Sequence, residues 1–278
     1  MLGVRPMLLI RNKGIRQFFG FVETANLLML RMLFVNPRAV RAFPGIIFRN
    51  YMALRRDGAW PSLPFESIFP EFQGNRITIE HIPEPGMFNP VDELAYLALI
   101  TALLQPKIVF EIGTYRGRTA LNFALNSSPS CRVYTLDLPP DSPTTAANNA
   151  ADQKLIGRAD PGVDYRHKGG SEKITQLYGN SVTFDYTPYV AQADLVFVDG
   201  GHDFETVLSD TQNALRIVRP GGVVLWHDFA NYGDYNDVTR AVLQCVPAVQ
   251  IEHTQLAIHR VPTAVALPSS LNSDQSAA

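Results

Sequence analysis

Short apolar runs alternate with amphipathic segments along the chain from residue 89 onward. Runs such as residues 107–112 predict buried strands, whereas the spacing of Leu94, Leu97 and Thr101 predicts a helix that follows Asn89-Pro90. The other predicted strands are residues 132–137, 163–167, 194–199, 222–227, 249–253 and 257–261. The other predicted helices are residues 117–125, 171–178, 204–218 and 237–246. This alternation predicts an α/β fold: a Rossmann-like, doubly wound, mostly parallel sheet of seven strands with helices on both faces.

The chain divides into four parts by composition. Of the 278 residues, the first 56 contain ten Lys and Arg residues and one acid, Glu23, whereas the rest contain fourteen basic and twenty-five acidic residues. Residues 1–56 are therefore interpreted as a basic, apolar helical extension. Residues 57–88 form a Pro/Gly-rich connection, residues 89–262 the globular α/β domain, and residues 263–278 a disordered tail.

Two interpretations of residues 1–56 stay open. Glu23 and Arg31 interrupt the apolar run. The uninterrupted part is therefore shorter than the stretch of about 20 uncharged residues that a membrane-spanning helix needs. The segment either packs on the globular domain or on a second copy of the chain, or lies as a basic amphipathic helix on an anionic membrane surface. Two distant cysteines, Cys131 and Cys245, and no cleavable signal peptide predict a cytoplasmic protein, with peripheral contact at the inner membrane surface left open.

A glycine turn follows the first strong strand. Gly113 and Gly117 stand four residues apart between an apolar run and a predicted helix, a layout that lets backbone N–H groups approach a ligand. A dinucleotide site requires a glycine where Tyr115 stands, so the spacing argues against that cofactor. Further polar or glycine clusters follow the other predicted strands, at the edge where open α/β sheets bind ligands.

Three segments carry a family resemblance. Residues 111–117 (EIGTYRG) resemble the first motif of class I S-adenosylmethionine-dependent methyltransferases, in the variant of the catechol and caffeoyl-CoA O-methyltransferases. Residues 196–205 (VFVDGGHDFE) and 218–228 (VRPGGVVLWHD) resemble later motifs of a bacterial branch. That branch includes macrocin-type O-methyltransferases and cephalosporin-hydroxylase-like proteins. The resemblance covers residues 88–260.

The resemblance implies an S-adenosylmethionine site. Asp137 would accept the ribose hydroxyls, the backbone of the glycine turn would meet the methionine carboxylate, and Ser171 and Glu172 would contact the adenine. Simple helix caps or a plain tight turn are the alternatives at these positions. The full set of implied cofactor-binding residues is Glu111, Gly113, Thr114, Tyr115, Gly117, Thr119, Asp137, Ser171, Glu172 and Asp199.

The resemblance also implies a divalent metal at Asp199, His227 and Asp228. Relatives bind Mg²⁺ with an acid or amide pair where His227-Asp228 stands, but imidazole suits zinc, iron or manganese better. The alternative is that the two acids belong to hydrogen-bond networks without an ion. His202 is the expected general base, because an imidazole that titrates near neutrality can accept a hydroxyl proton. His227 and Asp199 are the other catalytic candidates.

The expected function is S-adenosylmethionine-dependent O-methylation of a small-molecule hydroxyl, on a sugar, polyketide or lipid-linked compound. The long connection at residues 139–162, together with residues 57–88, is expected to cover the substrate. Nucleic acid is not expected as a partner, because the globular domain is acidic and offers no basic track. The alternatives are a metal-dependent hydroxylase-like or other non-methylating protein on this fold, or a non-catalytic, cofactor-binding, membrane-associated scaffold.

Overall fold

The computed structural model describes residues 60–81, 91–148, 150–156, 160–230 and 236–263. The helical extension at residues 1–56, the Asn89-Pro90 cap and the tail after residue 263 lie outside the described residues, and the domain boundaries stay predictions. Among the described residues, no helix is long and apolar enough to cross a membrane.

An eight-stranded sheet forms the centre of the fold. The strands are β1 (Ser62–Leu63), β2 (Ile108–Ile112), β3 (Arg132–Asp137), β4 (Ile174–Tyr178), β5 (Ala193–Val198), β6 (Val218–Trp226), β7 (Val249–Ile251) and β8 (Ala257–Arg260). Their order across the sheet is β1-β7-β8-β6-β5-β2-β3-β4. Only β8 runs antiparallel to its neighbours, β6 and β7. The predicted α/β class with a mostly parallel sheet is confirmed, and the short strand β1 raises the count from seven to eight.

Helices cover both faces of this sheet. They are α1 (Phe65–Ile68), α2 (Val91–Leu104), α3 (Arg118–Asn126), α4 (Ala150–Leu155), α5 (Phe204–Ile217) and α6 (Asn236–Cys245). Alternate residues of β5 belong to two different apolar clusters: Val196 packs with residues of α5 and α6, and Phe197 with residues of α2 and α3. Because strand side chains alternate between the two faces, each cluster forms a core layer on its own side of the sheet.

The sequence prediction was wrong between residues 163 and 178. Residues 163–167 are turns rather than a strand, and the predicted helix at 171–178 is a short 3₁₀ turn, Ser171–Lys173, followed by β4. β4 is the edge strand and is only partly buried, so its sequence ITQLY lacks a strong apolar alternation. Tyr165, read as a strand residue, is instead buried against the turn at Gly117.

The connection at residues 57–88 is partly integrated into the fold. β1 pairs in parallel with β7, and Phe65 and Phe69 are buried in the same cluster as α2 and α3. Asn122 and Asn126 of α3 hold the following stretch through hydrogen bonds to the backbone of Glu80 and Thr78. The described part of this connection therefore buttresses the sheet.

Candidate functional site

A pocket of about 430 Å³ opens at the carboxyl ends of β2, β3, β4 and β5. The chain winds from β2 to β3 and β4 on one side, and from β5 to β6 on the other, so the pocket lies where the winding reverses. Open α/β sheets bind ligands at this place, and pockets of this volume hold small molecules.

Two glycines shape the floor of the pocket. Gly113 has φ +99°, and a Cβ there would lie 1.9 Å from the carbonyl oxygen of Asp199, so only glycine lets the ends of β2 and β5 approach this closely. Gly117 has φ +86°, and its Cβ would lie 2.4 Å from the Tyr165 ring. Tyr115, which lies between the two glycines, and Thr119, which follows Gly117, also border the pocket. Tyr115 is exposed and Thr119 is buried.

Asp137 lies beside the glycine turn at the end of β3. Its Oδ2 accepts hydrogen bonds from the backbone N–H groups of Thr114 (3.1 Å) and Tyr115 (2.6 Å), and its Oδ1 accepts from Leu138 (2.7 Å). Burial raises the pKa of Asp137, while these three N–H groups stabilise its ionised form. Since a carboxylate has about four acceptor sites, one remains on Oδ1 for a ligand in the pocket.

Glu111 lies beneath the pocket and does not border it. The hydroxyl of Thr135 donates to its carboxyl group, and the Thr135 and Thr114 hydroxyls lie 2.6 Å apart. Gln176 of β4 donates to the Thr114 hydroxyl at 3.0 Å. Burial raises the pKa of Glu111 well above its usual value. Glu111 therefore supports the glycine turn through Thr135 and Thr114 and does not border the pocket.

The predicted position of Ser171 and Glu172 was wrong. These residues precede β4, at its amino end, and neither borders the pocket. Residues 179–183, which follow β4, border it instead. The error follows from the predicted strand at residues 163–167, since ligand-binding residues follow the carboxyl end of a strand and the strand here is Ile174–Tyr178.

Asp199, His227 and Asp228 meet where β5 and β6 end. The Nδ1 atom of His227 lies 3.0 Å from Asp228 Oδ2 and 3.3 Å from Asp199 Oδ1. Its Nε2 atom lies 3.0 Å from Oε2 of Glu93, a buried acid in the first turn of α2. Both ring nitrogens of His227 are therefore engaged by carboxylates.

His202 is held between two further carboxylates. Its backbone N–H donates to Asp152 Oδ2 at 2.9 Å, and its Nδ1 lies 2.7 Å from Asp152 Oδ1. Its Nε2 lies 2.9 Å from Asp228 Oδ2. Asp152 belongs to α4, within the long connection at residues 139–162, so this connection contributes directly to the cluster.

Charge dominates this cluster. Burial alone would lower the pKa of His202, but its contacts with Asp152 and Asp228 raise it to about 10. Burial likewise opposes a charged His227, but the charges of Asp228 and Asp199 raise its pKa well above the usual value. Although burial acts the other way, the two histidines hold the pKa of Asp228 well below its usual range. The expectation that His202 titrates near neutrality was therefore wrong, because two carboxylates face its ring.

The side chains that could hold a metal ion differ in one member from the predicted set. Among the described residues, ligand atoms of Asp199, His202 and Asp228 lie within 4.8 Å of one another. His227 was predicted in place of His202.

Of the two segments expected to cover the substrate, residues 139–162 and residues 57–88, only the first is seen to border the pocket among the described residues. The connection at residues 139–162 contributes several residues to the pocket wall, among them Pro140, Asn148 and Ile156. Asn148 also donates to Asp203, the N-cap of α5, at 3.1 Å. By contrast, none of the described residues 60–81 borders the pocket.

Sequence reasoning missed Asp152 and Glu93. Both lie on helices rather than after strands, so the strand-end pattern could not identify them. Glu93 lies in the first turn of α2, where the helix dipole alone favours an acid, so its residue type gives no separate signal of a site.

Residues 110–229 match a family described as a methyltransferase domain. A tRNA N(3)-methylcytidine methyltransferase of Drosophila melanogaster is 27% identical over 153 residues, which is 52% of this chain and 42% of that protein. A catechol O-methyltransferase of Mycobacterium tuberculosis is 27% identical over 132 residues, 47% of this chain and 51% of that protein. A provisionally named caffeoyl-CoA O-methyltransferase of Arabidopsis thaliana is 24% identical over 149 residues, with 50% and 56% covered. The chain spans about half the length of these curated relatives.

Solved structures are also similar. The O-methyltransferase TomG from Streptomyces achromogenes, involved in tomaymycin synthesis and crystallised with S-adenosylmethionine, has 16% identity and a TM-score of 0.46. That match covers 70% of this chain and 96% of TomG. An O-methyltransferase from Bacillus cereus, in complex with S-adenosylhomocysteine, has 20% identity and a TM-score of 0.38. That match covers 59% and 70% of the two chains.

Proposed function

We propose that this chain transfers the methyl group of S-adenosylmethionine to a hydroxyl group of a small molecule. The premise is the match of residues 110–229 to a methyltransferase domain. The observation that carries the proposal is the contact between Asp137 and the glycine turn at the pocket floor. Asp137 and the glycine turn lie within hydrogen-bond distance of each other. This proximity is needed if both are to bind the same nucleoside. The hydroxylase-like and scaffold alternatives gain no support of their own from the described residues.

In this proposal the cofactor lies along the carboxyl edge of the sheet. Asp137 would accept from a ribose hydroxyl at the remaining position of Oδ1, and the turn at residues 113–117 would place backbone N–H groups near the methionine carboxylate. The acceptor would lie between this turn and the cluster of Asp199, His202 and Asp228. The enzyme would then act mainly by holding the acceptor oxygen in line with the sulfonium methyl group.

Asp199 is the residue we assign to accept the hydroxyl proton. Its side chain is 19% exposed, more than Asp228 (12%) or Asp152 (9%), and it borders the pocket. His202, held between two carboxylates, is protonated at neutral pH and is a poor base in that state. Its proposed role is electrostatic: with His227 it balances the negative charge around the reacting oxygen.

A divalent cation fits the same cluster. Asp199, His202 and Asp228 would hold it in place of the proton on His202, because only a neutral imidazole can coordinate a metal. One imidazole with two carboxylates suits manganese, iron or zinc better than magnesium. When bound, such a cation would lower the pKa of a hydroxyl group and stabilise the developing oxyanion.

Calorimetry with S-adenosylhomocysteine tests the cofactor assignment. We expect micromolar binding to the wild-type chain, no binding of NAD, and a loss of at least about tenfold in Asp137→Asn because a charged acceptor is removed. Asp194→Asn is the matched control, because Asp194 also accepts two backbone N–H bonds, from Lys107 and Ile108, at the opposite edge of the sheet. An unchanged affinity in Asp137→Asn, or an equal loss in both variants, would contradict the proposed ribose contact.

Manganese titration followed by electron paramagnetic resonance tests the cation. We expect His202→Gln to weaken Mn²⁺ binding, and His259→Gln, in β8, to leave it unchanged. Binding that is lost in His227→Gln but kept in His202→Gln would instead favour the ligand set predicted from the sequence.

A further inference from the structure

The glycine turn after β2 has a strained backbone. Gly113 and Gly117 have φ +99° and +86°, and Tyr115 between them has φ +48°, a left-handed value that a tyrosine rarely adopts. Such a conformation costs about 1 to 3 kcal/mol and persists only where the surrounding structure fixes it. The contacts that fix this turn therefore affect what it can bind.

Most N–H groups of the turn already have partners inside the protein. Those of Thr114 and Tyr115 donate to Asp137, that of Gly113 donates to a carbonyl of β3, and that of Gly117 donates to a carbonyl within the turn. Among the described residues, no partner is found for the N–H of Arg116, a residue that borders the pocket. Arg116 is therefore the position at which the turn can offer a backbone donor to a ligand.

A segment outside the sheet holds the turn at Arg116. The backbone N–H of Asp164 donates to the Arg116 carbonyl at 2.9 Å. The Arg116 guanidinium donates to both carboxylate oxygens of Asp164, from Nε at 3.2 Å and from Nη2 at 2.7 Å. Asp164 thus contacts both the main chain and the side chain of Arg116, through a charge-assisted, bidentate pair.

Tyr165 anchors the segment that carries Asp164. The ring of Tyr165 packs against the turn at Gly117, and its hydroxyl donates to Gln176 of β4 at 2.7 Å. Gln176 in turn donates to the hydroxyl of Thr114 at 3.0 Å. Asp164 is therefore attached to a part of the chain that is itself fixed to the sheet and to the turn.

The same segment carries a second ion pair that serves as a comparison. Arg166 and Asp160 also form two hydrogen bonds, but their side chains are 41% and 54% exposed. Asp160 lies outside the pocket lining, whereas Asp164 borders the pocket and is 11% exposed. The two pairs have the same chemistry, and they differ in exposure and in contact with the turn.

We propose that Asp164 is a positioning residue that fixes the peptide group of Arg116 and thereby sets how tightly the turn binds the amino-acid part of the cofactor. This inference rests on the proposed function, in which that part lies at the turn. The N–H of Arg116 donates to the methionine carboxylate, and Asp164 acts through Arg116. A donor that is already held in place loses less conformational entropy on binding, so the affinity is higher. The adenosine part, at Asp137, does not depend on this contact.

Calorimetry with S-adenosylhomocysteine and 5′-methylthioadenosine tests this role, because the second compound has the adenosine and the sulfur but no amino-acid part. We expect Asp164→Ala and Arg116→Ala each to weaken binding of S-adenosylhomocysteine by about fivefold or more, and binding of 5′-methylthioadenosine by less than about twofold. The double variant should lose no more than the larger single loss, because both changes remove the same contact. Asp160→Ala is the matched control and should keep both affinities.

The results separate this inference from the proposed function. No binding of S-adenosylhomocysteine by the wild-type chain overturns both. An unchanged affinity in folded Asp164→Ala, an equal loss for the two compounds, or additive losses in the double variant overturns only the role of Asp164. If Asp164→Ala does not fold, Arg116→Ala replaces it, since the Arg116 side chain is 42% exposed, and an affinity that is unchanged there also overturns the role.

Discussion

The stability of this protein should fall with rising pH because of Asp210, a fully buried acid in α5, and Asp210→Asn should remove that fall. The pKa of the group is raised by burial from the usual 3.8 to about 7 in the folded chain. A carboxyl group with a raised pKa binds a proton more tightly in the folded state than in the unfolded state. Its contribution to stability is therefore greatest in acid and is lost as the pH rises from about 4 through 7.

The magnitude follows from the two pKa values. Between pH 5 and pH 8 the wild-type chain should lose about 2 to 3 kcal/mol of unfolding free energy through this group alone. Asp210→Asn has no group to titrate, so its stability relative to wild type should rise by the same amount over that range. At pH 5 the two chains should differ least.

Urea unfolding followed by circular dichroism at pH 5, 6, 7 and 8 measures this difference. Other groups titrate equally in both chains, so the difference between them isolates Asp210. Thr211→Val is the control, because it changes a buried neighbour without changing a charge, and its offset from wild type should not vary with pH. Parallel curves for wild type and Asp210→Asn would refute the reasoning, since they would mean that Asp210 is ionised normally in the folded chain.

Three further changes test the packing around the pocket. Gly113→Ala should cost more than about 3 kcal/mol and abolish S-adenosylhomocysteine binding, because its Cβ meets Asp199, whereas Gly169→Ala meets nothing within 4 Å and should be nearly neutral in thermal unfolding. Asn122→Ala should cost about 1 to 3 kcal/mol in urea unfolding, since the Asn122 side-chain amide bonds both the N–H and the C=O of Glu80. The control Asn213→Ala, on α5, should cost little, and equal costs for the two variants would contradict the role of Asn122. Tyr165→Phe should cost about 1 kcal/mol through the lost hydrogen bond to Gln176 at 2.7 Å, and an unchanged midpoint would show that this bond adds nothing.

Much of the sheet could be predicted because its central strands are buried on both faces. β2 and β5 are mostly apolar, with one acid each, and their predicted ends agree with the structure to within one residue. β4 could not be predicted in this way, because an edge strand buries less and its Ile174 and Leu177 are spaced like a helix face.

The site was predictable where it depends on strand ends. Asp137, Asp199 and Asp228 all border the pocket, and each lies at the end of a strand or within two residues after it, where the backbone largely determines the position. Asp152 and Glu93 come from helices, and which helical side chain reaches the site depends on packing that no local pattern records. For the same reason the ionisation of His202 could not be predicted, since one of its two carboxylate partners is fifty residues away in the chain.

The two carboxylates that contact His202 lie in parts of the chain whose sequences can change independently of each other. Asp228 is fixed at the end of a central strand, but Asp152 is supplied by the crossover between β3 and β4, a region where length and sequence can change without disturbing the sheet. A crossover without Asp152 would remove the carboxylate beside Nδ1 and bring the affinity of the imidazole for protons closer to that of free histidine, with Asp228 and Asp199 still nearby. Exchanging this connection alone would therefore lower the pKa of His202 toward neutrality, while the strand ends that carry Asp199 and Asp228 stay unaltered.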